Sequence, residues 1–205
     1  MIHEDQKVVK AGKDLADADK AVIMVHGRGA TAESVIRLSE KLPEASYLAP
    51  QAENRTWYPK SFLRPREENQ PHLDSALEKL DKLIQKCSEE LGKENVFLLG
   101  FSQGGCLVSE YTASNPARYG GLIILSGGLI GEEVKGFSGD MESTEVFIGC
   151  AENDPHIPRE RVDETEDVFE SLNAEVEKYI FEGSHHGIVE YEIERASEII
   201  GRDAT

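Results

Sequence analysis

The chain is poor in everything that would tie it to nucleic acid, to a membrane or to a disulfide framework. Its 22 Lys and Arg stand against 39 Asp and Glu, a formal charge of −17 over 205 residues. Phosphate backbones are held by clustered cations, so nucleic acid is excluded as a partner class. An anionic membrane surface would repel such a chain, and no apolar run is long enough to span a bilayer. The opening "MIHEDQKVVKAG" lacks the apolar segment of a secretory signal. Only three cysteines occur, Cys87, Cys106 and Cys150, widely spaced in apolar segments. They read as small core residues, not as a disulfide set or a metal site. The expectation is a cytoplasmic enzyme or binding protein, folded as a single domain over residues 1–205. The acidity fits a high-salt habitat and an ordinary acidic protein equally well.

What is present is a rhythm. Short apolar runs alternate with helical patterns, which predicts an α/β fold with a mostly parallel sheet and helices on both faces. "AVIMVHG" (21–27), "ASYLAP" (45–50), "NVFLLG" (95–100), "YGGLIILSG" (119–127) and "TEVFIGC" (144–150) read as buried strands. "AEVEKYIFE" alternates like a strand nearer an edge, and "VVKAG" reads as a minor edge strand. Thr31 is placed to cap a helix carrying Val35, Leu38 and Leu42. Leu73, Leu77, Leu80, Ile84, Cys87 and Leu91 form the clearest amphipathic helix, ended by Gly92. "IPRERVDETEDVFESL", with Pro158 in its first turn, and "IVEYEIERASEII" read as later helices. The segment from Gln51 to about Gln70 is a long loop, a length usually kept for function.

One stretch breaks the apolar pattern in a telling way. "GFSQG" (100–104) sets Ser102 between glycines where a buried strand gives way to a helix. That context fits a nucleophile elbow, whose turn is too tight for side chains two residues either side of the Ser. A Ser hydroxyl needs a base, and the base an orienting carboxylate. In this arrangement the chain order is Ser, then an acid, then His. Glu152 and Asp154 both follow a strand end, in "FIGCAENDPHIP". Asp154 is preferred, because Pro155 and Pro158 stiffen its loop and its side chain is short. The base belongs in "FEGSHHGI", where His185 and His186 are both candidates. Two amides are expected to receive the oxyanion. One is the N–H of Gln103, and the other the N–H of Arg28 in "HGRGA". His26 reads as a structural loop residue.

Taken together, "HGRGA", "LAPQAENRTWYPKSF", "GFSQGG", "GCAENDPHIP" and "GSHHGI" resemble the phospholipase/carboxylesterase group of α/β-hydrolases. That group includes small bacterial carboxylesterases and acyl-protein thioesterases, and is related to dienelactone hydrolases. The resemblance runs from about Lys20 to the C-terminus. It implies a lidless α/β-hydrolase fold, a Ser-Asp-His triad, and no metal or organic cofactor. Ser102 matches the nucleophile and Asp154 the acid. His186 matches the base, because Gly183 aligns with the Gly of the family's G-x-x-H turn. His185 departs from the small or apolar residue usual there. Dienelactone hydrolases use Cys as nucleophile, so Ser102 argues against that activity.

"RTWYPKSF" resembles the family's pocket loop. Trp57, the only Trp, is balanced between lining the pocket and anchoring the loop. Tyr58, Phe62 and His156 are further pocket candidates, and Arg64 and Arg66 lie close by. The function expected is hydrolysis of small soluble carboxylic esters through an acyl-enzyme. The alternatives are an acyl thioesterase, or a ligand-binding protein that keeps the fold. Whether the chain works as a monomer or a homodimer is not written in its sequence.

Overall fold

In the computed structural model, which describes residues 2–202, seven strands form one sheet. They are β1 (Val8–Gly12), β2 (Ala21–Val25), β3 (Ser46–Pro50), β4 (Val96–Phe101), β5 (Gly121–Leu125), β6 (Glu145–Ala151) and β7 (Glu175–Phe181). Their order is β1-β3-β2-β4-β5-β6-β7; β1 runs antiparallel to β3, and every other pair is parallel. The continuous apolar runs become β2, β3 and β5, buried at every residue. The two weaker strand patterns, β1 and β7, occupy the edges.

Five helices cover the sheet: α1 (Ala32–Ile36), α2 (His72–Leu91), α3 (Gln103–Ser114), α4 (Arg159–Ser171) and α5 (Glu190–Gly201). Alternation along a strand assigns each side chain to a face. Ala21, Ile23 and Val25 of β2 enter the core beneath α2, α3 and α4, while Val22 and Met24 enter the core beneath α1 and α5. Helix α3 is buried almost throughout, and its interior polar side chains Gln103, Ser109, Glu110 and Thr112 are all hydrogen-bonded. Helix α2 lays Leu73, Leu80, Ile84 and Cys87 against the sheet and ends at Gly92, whose φ is +83°. All three cysteines are buried and free, as expected of core residues.

Two boundaries differ from the sequence expectation. Thr31 caps α1 as predicted, its hydroxyl accepting the Ser34 N–H at 3.2 Å. The α-helix stops at Ile36, however, and continues as a 3-10 turn over Arg37–Lys41. Three residues per turn cannot keep an i, i+3, i+7 stripe on one face, so Leu38 and Leu42 finish only partly buried at the rim. Pro158 stands just before α4 instead of within its first turn, where its extended backbone leads into the helix.

The parallel strands point their carboxyl ends to one rim. Chain order reverses around β2, since β3 lies on one side of it and β4 on the other. Such a switch point opens a crevice at the strand ends. Here it brings residues 26–30 alongside Ser102. Among the described residues no separate domain covers this rim, and no helix is long and apolar enough to cross a membrane.

Candidate active site

Ser102 is the single residue between β4 and α3, and it makes the turn with φ +54° and ψ −119°. That backbone is strained for a residue with a Cβ and persists because its surroundings hold it. Its N–H is tied to the Leu125 carbonyl at 2.9 Å. The flanking glycines leave the room required. A Cβ on Gly100 would run into the Gly104 backbone, and one on Gly104 into the carbonyls of Val25 and His26.

The loop after β6 supplies Asp154. One carboxylate oxygen accepts the N–H groups of His156 (2.8 Å) and Ile157 (3.0 Å), and the other faces His186 Nδ1 at 2.7 Å. The side chain is fully buried. Burial opposes its charge, but the His186 hydrogen bond and the two amides outweigh burial and hold the carboxyl below its ordinary pKa. His186 Nε2 lies 2.8 Å from Ser102 Oγ. A carboxylate can only accept, so His186 donates from Nδ1 and leaves Nε2 to accept the Ser102 proton. The other two candidates lie elsewhere. Glu152 is exposed, and exposed His185 lays its ring over Gly187.

The two expected oxyanion donors sit on either side of Ser102. Gln103 opens α3, so its N–H has no partner in the helix and lies at the positive end of the helix dipole. The "HGRGA" segment passes directly beside the Ser: a Cβ on Gly27 would lie 3.2 Å from Ser102 Cβ. Among the described residues no acceptor bonds the Arg28 N–H.

The side chains of these two residues have a second engagement. The Arg28 guanidinium donates to three successive carbonyls, Tyr58 (2.8 Å), Pro59 (3.0 Å) and Lys60 (2.7 Å). The Gln103 carboxamide accepts the Trp57 N–H (2.9 Å) and donates to the Tyr58 carbonyl (2.8 Å). Residues 57–60 are thereby fastened to both expected oxyanion residues.

A cleft of about 410 Å³ opens beside Ser102 and Gln103. Tyr58, Phe62 and His156 line it, as does Arg28. The His156 ring stands edge-on to His186 with centroids 4.7 Å apart. Trp57 corrects the sequence expectation, because it is buried behind the cleft and does not line it. An indole N–H taken out of water needs an acceptor, and Trp57 finds the His26 carbonyl at 2.9 Å. It is the loop's anchor. His26 is structural, as expected: Nδ1 donates to the Gly27 carbonyl and Nε2 accepts the Ala52 N–H. Arg64 and Arg66 face away from the cleft and pair with Glu68 and Glu110.

Two residues escaped the sequence reading. His3 is fully buried, donates from Nε2 to the Trp57 carbonyl at 2.9 Å and accepts the Glu53 N–H, bracing the loop from below. Burial pushes its imidazole below the usual range, as it does for His26. Nothing around His3 in the sequence signals this, because its partners lie about fifty residues away. Lys60 lines the cleft; it went unnoticed because a Lys in a polar loop carries no signal. No group of side chains suited to hold a metal ion occurs among the described residues.

Comparison with known proteins places the chain among hydrolases. The family model described as Phospholipase/Carboxylesterase matches residues 4–202. The crystal structure of a phospholipase/carboxylesterase from Dyadobacter fermentans is 40% identical, with a TM-score of 0.93 over 98% of this chain and 99% of that one. A Bacillus cereus carboxylesterase shares the fold at 21% identity, with a TM-score of 0.75 over 96% and 94% of the two chains. Acyl-protein thioesterase 1 of Kluyveromyces lactis is 33% identical over 90 residues, a match spanning 42% of this chain and 40% of that protein's length.

Proposed function

The chain belongs to the phospholipase/carboxylesterase family of α/β-hydrolases, and from that premise we propose that it is a serine hydrolase of small, soluble carboxylic esters. The observation that carries this reading is the unbroken relay of hydrogen bonds from Ser102 Oγ through His186 to Asp154, at 2.8 and 2.7 Å. His186 takes the proton as Ser102 Oγ attacks the ester carbonyl. Asp154 holds the imidazole in the required tautomer and stabilises its charged form. The N–H groups of Arg28 and Gln103 receive the oxyanion, in place before charge develops. The protonated His186 then gives its proton to the leaving alcohol. Water activated by the same imidazole attacks the acyl-enzyme and releases the acid.

The volume of the cleft, about 410 Å³, suits short acyl groups. Three buried free thiols suit a reducing, cytoplasmic compartment. The test is turnover of a chromogenic short-chain ester, with Ser102→Ala as control and fluorophosphonate labelling of Ser102. Loss of both turnover and labelling in Ser102→Ala is the expected result. Wild-type protein inert on a broad panel of esters and thioesters would overturn the reading. A thioesterase is the second reading, favoured by the partial match to acyl-protein thioesterase 1. Rates on paired esters and thioesters of rising acyl length separate the two.

A further inference from the structure

The cleft is charged against the sign of the molecule. Acidic residues outnumber basic ones 39 to 22 along the chain. Yet the charged residues lining the cleft are Arg28 and Lys60, and no Asp or Glu is among the described residues that line it. Two later cations of the same loop are neutralised, Arg64 by Glu68 and Arg66 by Glu110. The Arg28 guanidinium is held by three backbone carbonyls. Carbonyls orient a cation without cancelling its charge, and they use three of its five N–H donors. The Lys60 backbone is pinned at both ends, its N–H on Asn69 Oδ1 at 2.8 Å and its carbonyl on Arg28. The ammonium is therefore carried on a fixed stretch of cleft wall. Two such charges in a concave site make a local positive potential inside an anionic molecule.

Resting on the hydrolase reading above, we propose that the substrates are esters whose acyl or alcohol part carries an anionic group, a carboxylate or a phosphate. Lys60 and Arg28 receive that group while the scissile carbonyl sits at Ser102. The acidic surface then has a consequence for selection. It disfavours anions over most of the surface, while the potential at the cleft beside Ser102 favours them.

The test compares an aryl half-ester of a dicarboxylic acid with the neutral aryl ester of equal chain length, in wild type, Lys60→Met and Lys60→Glu. The expected wild-type preference in kcat/KM is about tenfold for the anionic ester at low salt, shrinking as salt is added. Lys60→Met lowers the ratio several-fold and Lys60→Glu inverts it. A wild-type preference for the neutral ester, or a ratio that Lys60→Glu leaves unchanged, overturns the proposal. A phosphate-bearing ester run in parallel distinguishes the anions, and preference for either one supports the proposal. Calorimetry of Ser102→Ala with the free dicarboxylate needs no turnover. Binding that Lys60→Glu abolishes supports the anion subsite even if no ester is hydrolysed, a result that overturns only the hydrolase reading. Active enzyme with no dicarboxylate binding overturns the subsite alone.

Discussion

Two regions meet at Ser102, and they are built in opposite ways. On one side Ser102, Asp154 and His186 each stand a few residues beyond a strand end, placed by the backbone of their own turn. On the other, residues 57–60 belong to no strand or helix. They are held by the side chains of His3, Arg28, Asn69 and Gln103 and by the His26 carbonyl, most of them far along the chain. The first region is rigid because the sheet beneath it is rigid. The second is rigid only as long as its fastenings last. Damage to the first should therefore abolish chemistry or folding, and damage to the second should retune geometry while the fold survives.

The sharpest contrast lies within the first region, between adjacent histidines. His186→Ala is expected to lower kcat by about 10⁶-fold, a loss of the size seen when the general base of a Ser-His-Asp triad is removed. His185→Ala is expected to change it by less than about threefold. Steady-state rates on one chromogenic ester decide, and comparable losses in both would undo the assignment of the base. Gly104→Ala probes the turn itself, because the new Cβ meets the Val25 and His26 carbonyls and backbone cannot yield as a side chain does. A destabilisation of about 3 kcal/mol is expected in urea unfolding. Unchanged stability would mean that the elbow has more room than its geometry allows.

Glu192 extends the comparison to α5, the helix that follows the His186 loop. The residue is fully buried. Burial pushes its carboxyl up from 4.5 to about 7, against one stabilising hydrogen bond from the Val189 N–H. The unfolded chain releases this proton above about 4.5 while the folded protein keeps it to about 7. Protons are thus bound more tightly in the native state, and stability falls as pH rises through that window, by at most about 3 kcal/mol. Glu192→Gln should remove that part of the slope and be the more stable protein at pH 8, by about 2 kcal/mol. Unfolding curves at pH 5, 6, 7 and 8 check the sign.

The smallest effect is expected on the other side of Ser102. Arg28→Met unfastens three carbonyls of residues 58–60 and leaves the backbone N–H in place. Turnover of a neutral ester should fall about tenfold in kcat, with stability changed by less than about 1 kcal/mol. A large loss of stability, or an intact kcat, would mean that the two regions are not built as differently as their hydrogen bonds indicate.

The sequence was legible where structure is local. "GFSQG" encodes a strand, a strained turn and a helix within a few residues, and the glycines record a steric requirement that the structure then shows. The same holds for the buried strands, the edge strands and α2. It held less well at Thr31, where the cap was readable but the change to a 3-10 turn was not. The pocket loop was hardly readable at all. Trp57 has the same composition signature whether it faces substrate or packs behind a wall, and its burial depends on a carbonyl at His26. His3 and Lys60 carried no signal, because what gives them a role is contact with residues far along the chain.

The sequence by itself determined the mostly parallel α/β sheet and the turn at Ser102. These rest on hydrophobic periodicity and on backbone sterics, which act over a few residues. Tertiary structure alone decided that His186, already singled out by the resemblance, comes within reach of Ser102, that Trp57 anchors instead of lining the cleft, and that two cations without a carboxylate partner line the cleft of an acidic molecule. Each of these depends on which distant groups come within hydrogen-bonding reach, and that distance exists only once the sheet has closed around its core.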